Sequence, residues 1–295
     1  MSNLSSEFLT TRQLAELLHI KERRVYDLAA SGQVPCSRVT GKLLFPRRAV
    51  EEWIARNSSG GAETPKHRAA RVVLGSQDPL LKWALRASGT ELATLFEGSL
   101  NGLDRFGQGE GLAAGLHLFD ADTGAWNVPA VRSRFEYAPV VLVEFAWRER
   151  GFILSPGQGE DFSGLSDLAN KRVARRQPTA GSQVLLSHLL DEAGIDAGAI
   201  SWTETAGTET ELAIAVLEGK ADVAFGLRAA AQQLKLHFVP HGRERFDLLV
   251  DRAAWFDPPF QELLSFFRCG AFREKAGTLG GYDISGLGTV HFNGS

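Results

Sequence analysis

The chain has little cysteine and no long apolar run. Only two cysteines, Cys36 and Cys269, occur among its 295 residues, and neither belongs to a CxxC pair. This usage gives no disulfide framework and no cysteine zinc site, and it is typical of a protein in a reducing compartment. No apolar run reaches the roughly 18 residues that a membrane-spanning helix needs. We therefore expect no membrane association.

The first ten residues lack the basic and apolar regions of a secretory signal peptide. We expect a cytoplasmic protein, which argues against a periplasmic solute-binding protein. With 44% hydrophobic and 23% charged residues, the composition is ordinary for a globular chain. The length is comfortable for two or three domains.

The net charge of −3 is unevenly distributed. Residues 1–56 hold nine Lys and Arg against six Asp and Glu, whereas residues 71–295 hold 21 against 28. A basic head on an acidic body is what a fused DNA-binding segment produces.

Residues 1–56 show the pattern of a small helical DNA-binding domain. Thr10 and Gln13 have the spacing of a capping box at the start of a helix. A second helix is predicted from Lys21 to Ala30, with Gly32 as its terminator. Two short β-capable runs around Thr40-Gly41-Lys42 predict a hairpin, or wing. Pro46 suits the first turn of a third helix that runs to about Arg56.

This order resembles the excisionase-type, MerR-like winged helix-turn-helix family. The matching residues are Leu9-Thr10-Thr11, Leu14-Ala15, Leu17-Leu18, Val25-Tyr26, Gly32-Gln33-Val34-Pro35, Phe45-Pro46-Arg47 and Trp53. The resemblance implies that the second helix enters the major groove of double-stranded operator DNA. It implies base or phosphate contacts from Arg23, Arg24 and Tyr26. Phosphate contacts are expected from Lys21, Arg38, Lys42 and Arg47.

Residues 57–70 are rich in Ser, Gly and Ala and predict a flexible linker. Beyond them the chain alternates short apolar strands with helical segments. Each strand runs into a small polar loop, as at Gly75-Ser76-Gln77-Asp78 and Arg175–Gln183. Alternating βα units predict an α/β fold with a largely parallel sheet and ligands at the strand ends.

Two longer β runs, Val140–Phe145 and Phe246–Val250, are candidates for strands that cross between two lobes. We predict one ligand-binding domain at 71–295. Its first lobe takes about 71–145 and 246–295, and its second lobe takes about 146–245. His241-Gly242-Arg243 is interpreted as a loop.

The body resembles type II periplasmic-binding-protein-like domains of the molybdate-binding kind. The matching motifs are Gly75-Ser76-x-Asp78, Gly98-Ser99-Leu100-x-Gly102-Leu103, Gly115–Leu118, Arg176-Gln177 with Gly181-Ser182, Gly219-x-Ala221–Ala224 and Gly281-Tyr282-Asp283. The resemblance implies a clamp for a small oxyanion or organic ligand. Several positions depart from the usual family pattern: Arg175 for Asn, Thr179-Ala180 for Gly-Ser, Ser182 for Thr, Gln183 for Arg, and Glu211 for His.

A tetrahedral oxyanion needs several N–H and O–H donors that converge in a dry cleft. Candidate ligand-binding residues are therefore hydroxyl, amide and guanidinium donors near the loops. They are Ser76, Gln77, Ser99, Arg176, Thr179, Gly181, Ser182, Gln183, Arg228 and Tyr282. For each Ser or Thr, an ordinary helix N-cap role is the alternative. His117 and His237 are interpreted as structural histidines rather than ligands.

No Ser/His/Asp, Cys/His or HExxH pattern is evident in the sequence, so neither catalytic residues nor a metal site are predicted. The sequence favours a homodimeric, ligand-responsive transcription regulator. No cofactor is predicted, and the resemblance implies an oxyanion effector, molybdate or tungstate. One alternative is a regulator that senses an organic acid or another anion. A second is a solute-binding or enzymatic clamp that acts alone. A third is a DNA-architectural, excisionase-like protein whose body is only an interaction module.

Overall fold

The computed structural model describes residues 8–39, 41–57, 70–159 and 161–295. The chain divides into two units, Met1–Lys66 and His67–Ser295. Of the predicted linker, residues 58–69 lie outside the described residues, as does Thr40 in the predicted hairpin turn.

The N-terminal unit combines a three-stranded antiparallel sheet, in the order β1-β3-β2, with three helices. Its elements are β1 (Phe8–Thr10), α1 (Thr11–Leu18), α2 (Glu22–Ala30), β2 (Ser37–Val39), β3 (Lys42–Pro46) and α3 (Arg47–Asn57). The predicted helix-turn-helix and hairpin are confirmed. Pro46 does not open the third helix as predicted. It is the last residue of β3, where it pairs with Phe8 of β1.

The capping box is present. The Thr10 hydroxyl accepts a hydrogen bond from the Gln13 backbone N–H at 3.3 Å, and Gln13 Oε1 accepts one from the Thr10 N–H at 2.9 Å. The core of this unit joins Leu14, Val25 and Phe45, none of which has exposed surface. Burying each such side chain stabilises the fold by about 1.5–3 kcal/mol, and this holds the short elements together.

The second unit contains a ten-stranded sheet with the order β11-β10-β12-β9-β13-β6-β4-β5, and with β14 and β15 also paired to β9. Its first part consists of β4 (Val72–Gly75), α4 (Pro79–Ala87), β5 (Ala93–Phe96), α5 (Ser99–Gly107), β6 (Ala113–Leu116), β7 (Phe119–Asp120), β8 (Ala125–Trp126) and α6 (Val128–Phe135). Together with the C-terminal elements described below, we call this part lobe 1.

The long strand β9 (Val140–Leu154) leads from lobe 1 into lobe 2. Lobe 2 consists of β10 (Arg172–Arg176), α7 (Gly181–Glu192), β11 (Ser201–Ala206), α8 (Glu209–Leu217), β12 (Val223–Leu227) and α9 (Arg228–Gln233). The strand β13 (His237–Asp251) returns to lobe 1, which is completed by α10 (Pro258–Phe267), α11 (Gly270–Leu279), β14 (Tyr282–Asp283) and β15 (Val290–Asn293).

The centre of the sheet differs from the predicted parallel arrangement. Among the described strands, parallel pairing is confined to β4 with β5 and β6, and to β10 with β11 and β12. β9 and β13 pair antiparallel with each other along almost their whole lengths. Each has 15 residues, far longer than the predicted apolar runs, because each crosses from one lobe to the other. The predicted loop at His241–Arg243 was wrong, since these residues lie in β13 near a register shift.

Helix α5 approaches β4 closely enough to exclude any side chain. A Cβ atom on Gly102 would lie 2.2 Å from the Gly75 Cα atom, and Gly75 itself has φ +95°. This contact sets Ser99, at the start of α5, beside Ser76 at the end of β4. The two glycines therefore position two candidate ligand-binding residues.

Gly102→Ala should destabilise the second unit by about 1–3 kcal/mol, because the added methyl collides with backbone that cannot move cheaply. Chemical denaturation monitored by circular dichroism measures this change. Gly277→Ala is the matched control, since Gly277 is also helical but has no atom within 4 Å of its Cβ position. Gly277→Ala should be neutral or stabilising. Equal effects of the two variants would contradict the steric argument.

Candidate ligand-binding cleft and DNA-binding surface

The two lobes touch where the polar loops of lobe 1 meet the start of α7. The Leu100 N–H donates to the Thr179 carbonyl at 3.4 Å. A Cβ atom on Gly181 would lie only 2.4 Å from the His117 carbonyl oxygen. Gly181 therefore allows lobe 2 to rest directly on the segment that follows β6. This contact region, together with the middle of β9 and β13, is called the cleft below.

A buried ion cluster crosses the cleft on the two long strands. Arg148 and Arg150 are two residues apart on β9, so their side chains share one face of the sheet. Both donate to Glu244 of β13: Arg148 through Nη2, and Arg150 through Nε at 2.7 Å and Nη2 at 2.8 Å. All three side chains are at most 1% exposed. Such a cluster is stable only when every charge has partners.

The cluster reaches into each lobe. From lobe 1, Asp78 Oδ2 accepts hydrogen bonds from Arg148 Nη1 at 2.9 Å and from the Tyr282 hydroxyl at 2.8 Å. From lobe 2, Glu209 Oε1 accepts from Arg150 Nη2 at 3.0 Å. Glu209 is the first residue of α8, where the helix dipole also favours a negative charge. The arginines therefore tie a carboxylate from each lobe to the crossing strands.

Glu244 and Glu209 are held in the ionised form. Burial alone raises the pKa of Glu244, but the charges of Arg148 and Arg150 outweigh it and hold that pKa well below its usual value. Burial likewise raises the pKa of Glu209, and Arg150 and Arg176 bring it below the usual value. Ionised acceptors strengthen each arginine contact.

A chain of hydroxyl and imidazole groups continues from Glu244 into lobe 1. Glu244 Oε2 lies 3.2 Å from His117 Nδ1, and His117 Nε2 lies 3.0 Å from Ser76 Oγ. Ser76 Oγ lies 2.9 Å from Ser99 Oγ, which accepts a hydrogen bond from the His117 backbone N–H at 3.1 Å. Burial lowers the pKa of His117, so its ring is neutral near pH 7. We call this chain the serine–histidine relay.

Arg176 and Ser182 supply donors that the protein does not use. Arg176 is 6% exposed and Ser182 is 2% exposed. Within the described ranges, the Arg176 Nε and Nη1 atoms and the Ser182 hydroxyl have no hydrogen-bond partner. Burial lowers the pKa of Arg176, whereas nearby Glu209 raises it. Buried polar groups without partners are rare in native proteins, and an ion or an ordered water is one way to satisfy them.

The remaining candidates occupy different surroundings. Gln183 uses Oε1 to accept a hydrogen bond from the Arg176 backbone N–H at 3.0 Å. Tyr282 is committed to Asp78, and Arg228 forms an ion pair with Glu149 at 2.7 Å. The structure thus brings Ser76, Ser99, Thr179 and Gly181 together around the contact between the lobes. Ser182 follows Gly181 in the first turn of α7, and Arg176, the last residue of β10, lies near Glu209 and Arg150 of the ion cluster.

Gln77 borders a pocket whose lining includes none of the other candidate residues. The pocket has a volume of about 550 Å³ and is lined by side chains from both lobes. The other lining residues are Pro79, Lys82, Trp83, Arg86 and Ala87 from lobe 1, and Thr210 and Gln233 from lobe 2.

The sequence interpretation missed Arg148, Arg150, Glu244 and Asp78 as site residues. It ended the first crossing strand at Phe145 and began the second at Phe246, so the charged middle of both strands was not recognised. The sequence does contain a signal for this site. Arg148, Glu149 and Arg150 alternate along β9, and the face that carries Arg148 and Arg150 is charged and buried. It also found no Ser/His/acid set, whereas Ser76, His117 and Glu244 are in fact linked in space.

In the N-terminal unit, helix α2 presents a basic exposed face. Lys21, Arg23, Arg24 and Tyr26 are all exposed, with Tyr26 51% accessible. Among the described residues, none of the three cations forms an ion pair, in contrast to Arg12, which pairs with Glu16 at 3.0 Å. Arg38, Lys42 and Arg47 of the predicted contact set are also exposed.

Family comparison agrees with this architecture. Residues 82–268 match the family model of the PBP superfamily domain, and residues 8–58 match that of a helix-turn-helix domain. The chain belongs to the PBP, or periplasmic-binding-protein, superfamily. It carries this domain behind a helix-turn-helix domain of the excisionase-like type.

One relative is the uncharacterised protein YvgK of Bacillus subtilis strain 168, which is 27% identical over 259 residues, covering 82% of this chain and 84% of YvgK. Among solved structures, a putative phosphate ABC transporter substrate-binding protein with bound phosphate from Clostridium perfringens aligns with a TM-score of 0.52 and 9% identity. It covers 70% of this chain and 96% of that protein. The tungstate ABC transporter structure from Geobacter sulfurreducens gives a TM-score of 0.50 and 12% identity, with 69% and 95% coverage. These similarities confirm the two-lobed fold.

Across the described helices, none is long and apolar enough to span a bilayer. The described residues also contain no group of three or more His, Cys, Asp or Glu side chains arranged to hold a metal ion.

Glu244→Gln should lower the free energy of unfolding of the second unit by about 3–5 kcal/mol at pH 7, because it leaves Arg148 and Arg150 buried without a matching charge. Since the folded pKa of Glu244 is lowered, its stabilisation is present above the unfolded pKa near 4.5 and is lost as pH falls. The variant should therefore show a weaker loss of stability in acid. Urea unfolding at several pH values measures both effects.

Asp283→Asn is the matched control for Glu244→Gln. Asp283 also pairs with an arginine, Arg243, at 2.7 Å, but both side chains are more than two fifths exposed. Exposed pairs contribute little to stability. A loss as large in Asp283→Asn as in Glu244→Gln would show that burial of the cluster is not what matters.

Proposed function

We propose that the protein is a ligand-responsive transcription regulator that binds operator DNA through its N-terminal unit and a small oxyanion, molybdate or tungstate, in the cleft. The presence of a helix-turn-helix domain and a PBP-superfamily domain in one chain supports the general reading. Neither family is a catalytic one, so we propose binding rather than turnover as the activity. The protein would act in the cytoplasm, where it would have access to operator DNA.

The observation that carries the ligand proposal is the unused pair of Arg176 and Ser182. Arg176 at the end of β10 and Ser182 in the first turn of α7 are both buried, and each retains donor atoms without a partner among the described residues. A tetrahedral oxyanion would accept hydrogen bonds from the Arg176 guanidinium in the planar geometry that suits such a group. The Ser182 hydroxyl, in the first turn of the twelve-residue helix α7, would add a donor at the positive end of the helix dipole.

The other half of the site would come from lobe 1. Ser76 and Ser99 lie on the opposite side of the cleft from α7, and Thr179 and Gly181 form the contact between the two sides. Gln77, Gln183, Arg228 and Tyr282 remain part of the proposed set, in outer positions around this centre. The protein of known structure with bound phosphate and the one named for tungstate have this fold, which supports a small oxyanion as the ligand class.

Ligand binding would be coupled to DNA binding by closure of the lobes. We propose a homodimer, because a single small head contacts too few base pairs for useful specificity. A ligand that favours the closed lobes then changes the freedom of the two heads and hence their joint affinity for DNA. This is a coupling free energy between two sites.

Molybdate or tungstate should raise the melting temperature of the wild-type protein, because a ligand that binds only the native state stabilises it by mass action. Arg176→Gln and Ser182→Ala should each raise the dissociation constant, with a loss of about 10- to 100-fold for Arg176→Gln, since hydrogen bonds to charged groups contribute about 1.5–3 kcal/mol. Calorimetric titration measures the constants.

Arg175→Gln is the matched control for the ligand site, because Arg175 is the neighbouring residue on β10 and its side chain is exposed. It should bind like the wild type. Sulfate, phosphate and small carboxylates complete the panel. A shift with a carboxylate alone would replace the oxyanion by an organic acid, and hydrolysis of a panel compound would favour an enzyme.

Arg23→Ala and Arg24→Ala should weaken DNA binding and should each reduce the salt dependence of binding by about one unit if the side chain contacts a phosphate. The probe is a duplex selected from a random library by the wild-type protein, and fluorescence anisotropy at several salt concentrations gives the slopes. Arg12→Ala is the control, since Arg12 is exposed but paired with Glu16 on α1. Unchanged affinity in both α2 variants would exclude α2 as the DNA-contacting helix.

A further inference from the structure

The direction of the hydrogen bonds in the serine–histidine relay is fixed by its chemistry. Ionised Glu244 can only accept, so the neutral His117 ring must donate from Nδ1 and accept at Nε2. Ser76 lies at hydrogen-bond distance from that acceptor and must give it its single proton. Ser99 must then donate to Ser76. Both hydroxyl protons are therefore used inside the protein while His117 is neutral.

This arrangement leaves no hydroxyl donor for a fully deprotonated oxyanion, which can only accept hydrogen bonds. Molybdate and tungstate present only lone pairs, and the relay offers them only the remaining lone pairs of Ser76 and Ser99. If His117 carries a second proton, on Nε2, the ring donates to Ser76 instead of accepting. One of the two hydroxyl protons then keeps the hydrogen bond between Ser76 and Ser99, and the other is free to point at the anion. One proton on His117 thus gives the relay one donor for the anion where it had none.

On this basis, which rests on the function proposed above, we propose that the cleft binds its oxyanion together with one proton, taken up by His117 at Nε2. His117 is a positioning residue, because it acts on the ligand through Ser76 and Ser99. The proton comes from solvent and no covalent bond to the anion forms.

The charges that face His117 determine when the proton is taken up. Glu244 of β13 favours the protonated ring, and Arg148 and Arg150 of β9 oppose it. Ser76, Ser99 and the Gly181 backbone, which pack on the ring from the other elements, carry no charge. Burial and the arginines keep the ring neutral in the free protein. A bound anion adds negative charge across the serines and raises the pKa of His117.

The linkage has a definite sign. Between the pKa of His117 in the free protein and its higher pKa in the complex, the complex holds more protons than its separated components. Affinity for molybdate should therefore fall as pH rises in this interval, by up to about tenfold per pH unit for one proton. Molybdate at micromolar concentration remains the monomeric dianion from pH 6.5 to 8.5, so the dependence would belong to the protein.

The test is calorimetric titration of the full-length protein with micromolar molybdate at pH 7.5, in buffers of different ionisation enthalpy. The number of protons taken up per anion follows from the difference in heat. Nitrogen-15 NMR of the histidine rings reports the state of His117 directly. The expected result is uptake of a substantial fraction of one proton, with a neutral Nδ1–H ring before binding and a doubly protonated ring after it.

His117→Gln should abolish the uptake and flatten the pH profile, because an amide cannot titrate. His291→Gln is the matched control, since His291 also pairs with a glutamate, Glu144 at 2.8 Å, outside the relay. If His117→Gln does not fold, the wild-type proton count and NMR spectrum decide the matter. Molybdate binding without proton uptake overturns the inference and leaves the oxyanion site standing. No binding of molybdate, tungstate, sulfate or phosphate at any pH overturns both.

Discussion

The cleft depends on the contacts of two arginines on one strand with one glutamate on the next. Arg148 and Arg150 donate hydrogen bonds to Glu244 where β9 and β13 pass between the lobes, and all three side chains are almost completely buried. Removing such charges from water is costly, and only complete mutual pairing offsets that cost. Since Asp78 and Glu209 complete the pairing from opposite lobes, the cluster constrains the position of both lobes relative to the crossing strands.

The same cluster explains why His117 is a relay group rather than an isolated core histidine. Glu244 cannot be protonated readily because the arginines hold its pKa low, so it presents a permanent acceptor to the ring. That acceptor selects the tautomer of His117, and the tautomer selects the direction of the Ser76 and Ser99 hydroxyls. An electrostatic arrangement on the long strands therefore sets the hydrogen-bonding character of a surface of lobe 1 that would face a ligand.

The sequence predicts local features of this protein better than distant ones. Thr10 and Gln13 are three residues apart, so a capping box is visible in the sequence and is confirmed. Ser76 follows β4, and Ser99 and Ser182 stand at the starts of α5 and α7. All three are buried, and Ser76 and Ser99 are hydrogen-bonded to each other. Arg150 and Glu244 are 94 residues apart, and no local pattern indicates that they touch. The strands were also underestimated, because apolar periodicity stops at the point where they become charged.

Arg176 differs from Arg148 and Arg150 because no carboxylate of the described residues accepts a hydrogen bond from its Nε or Nη1 atom. Arg148 and Arg150 each contact carboxylates at two positions, whereas Arg176 is close enough to influence Glu209 without forming a hydrogen bond to it. Glu209 is already engaged by Arg150, so pairing it with Arg176 would weaken the cluster. A ligand that brings its own acceptor oxygens can satisfy Arg176 without drawing Glu209 away. The proposed anion binding is therefore compatible with the integrity of the buried cluster.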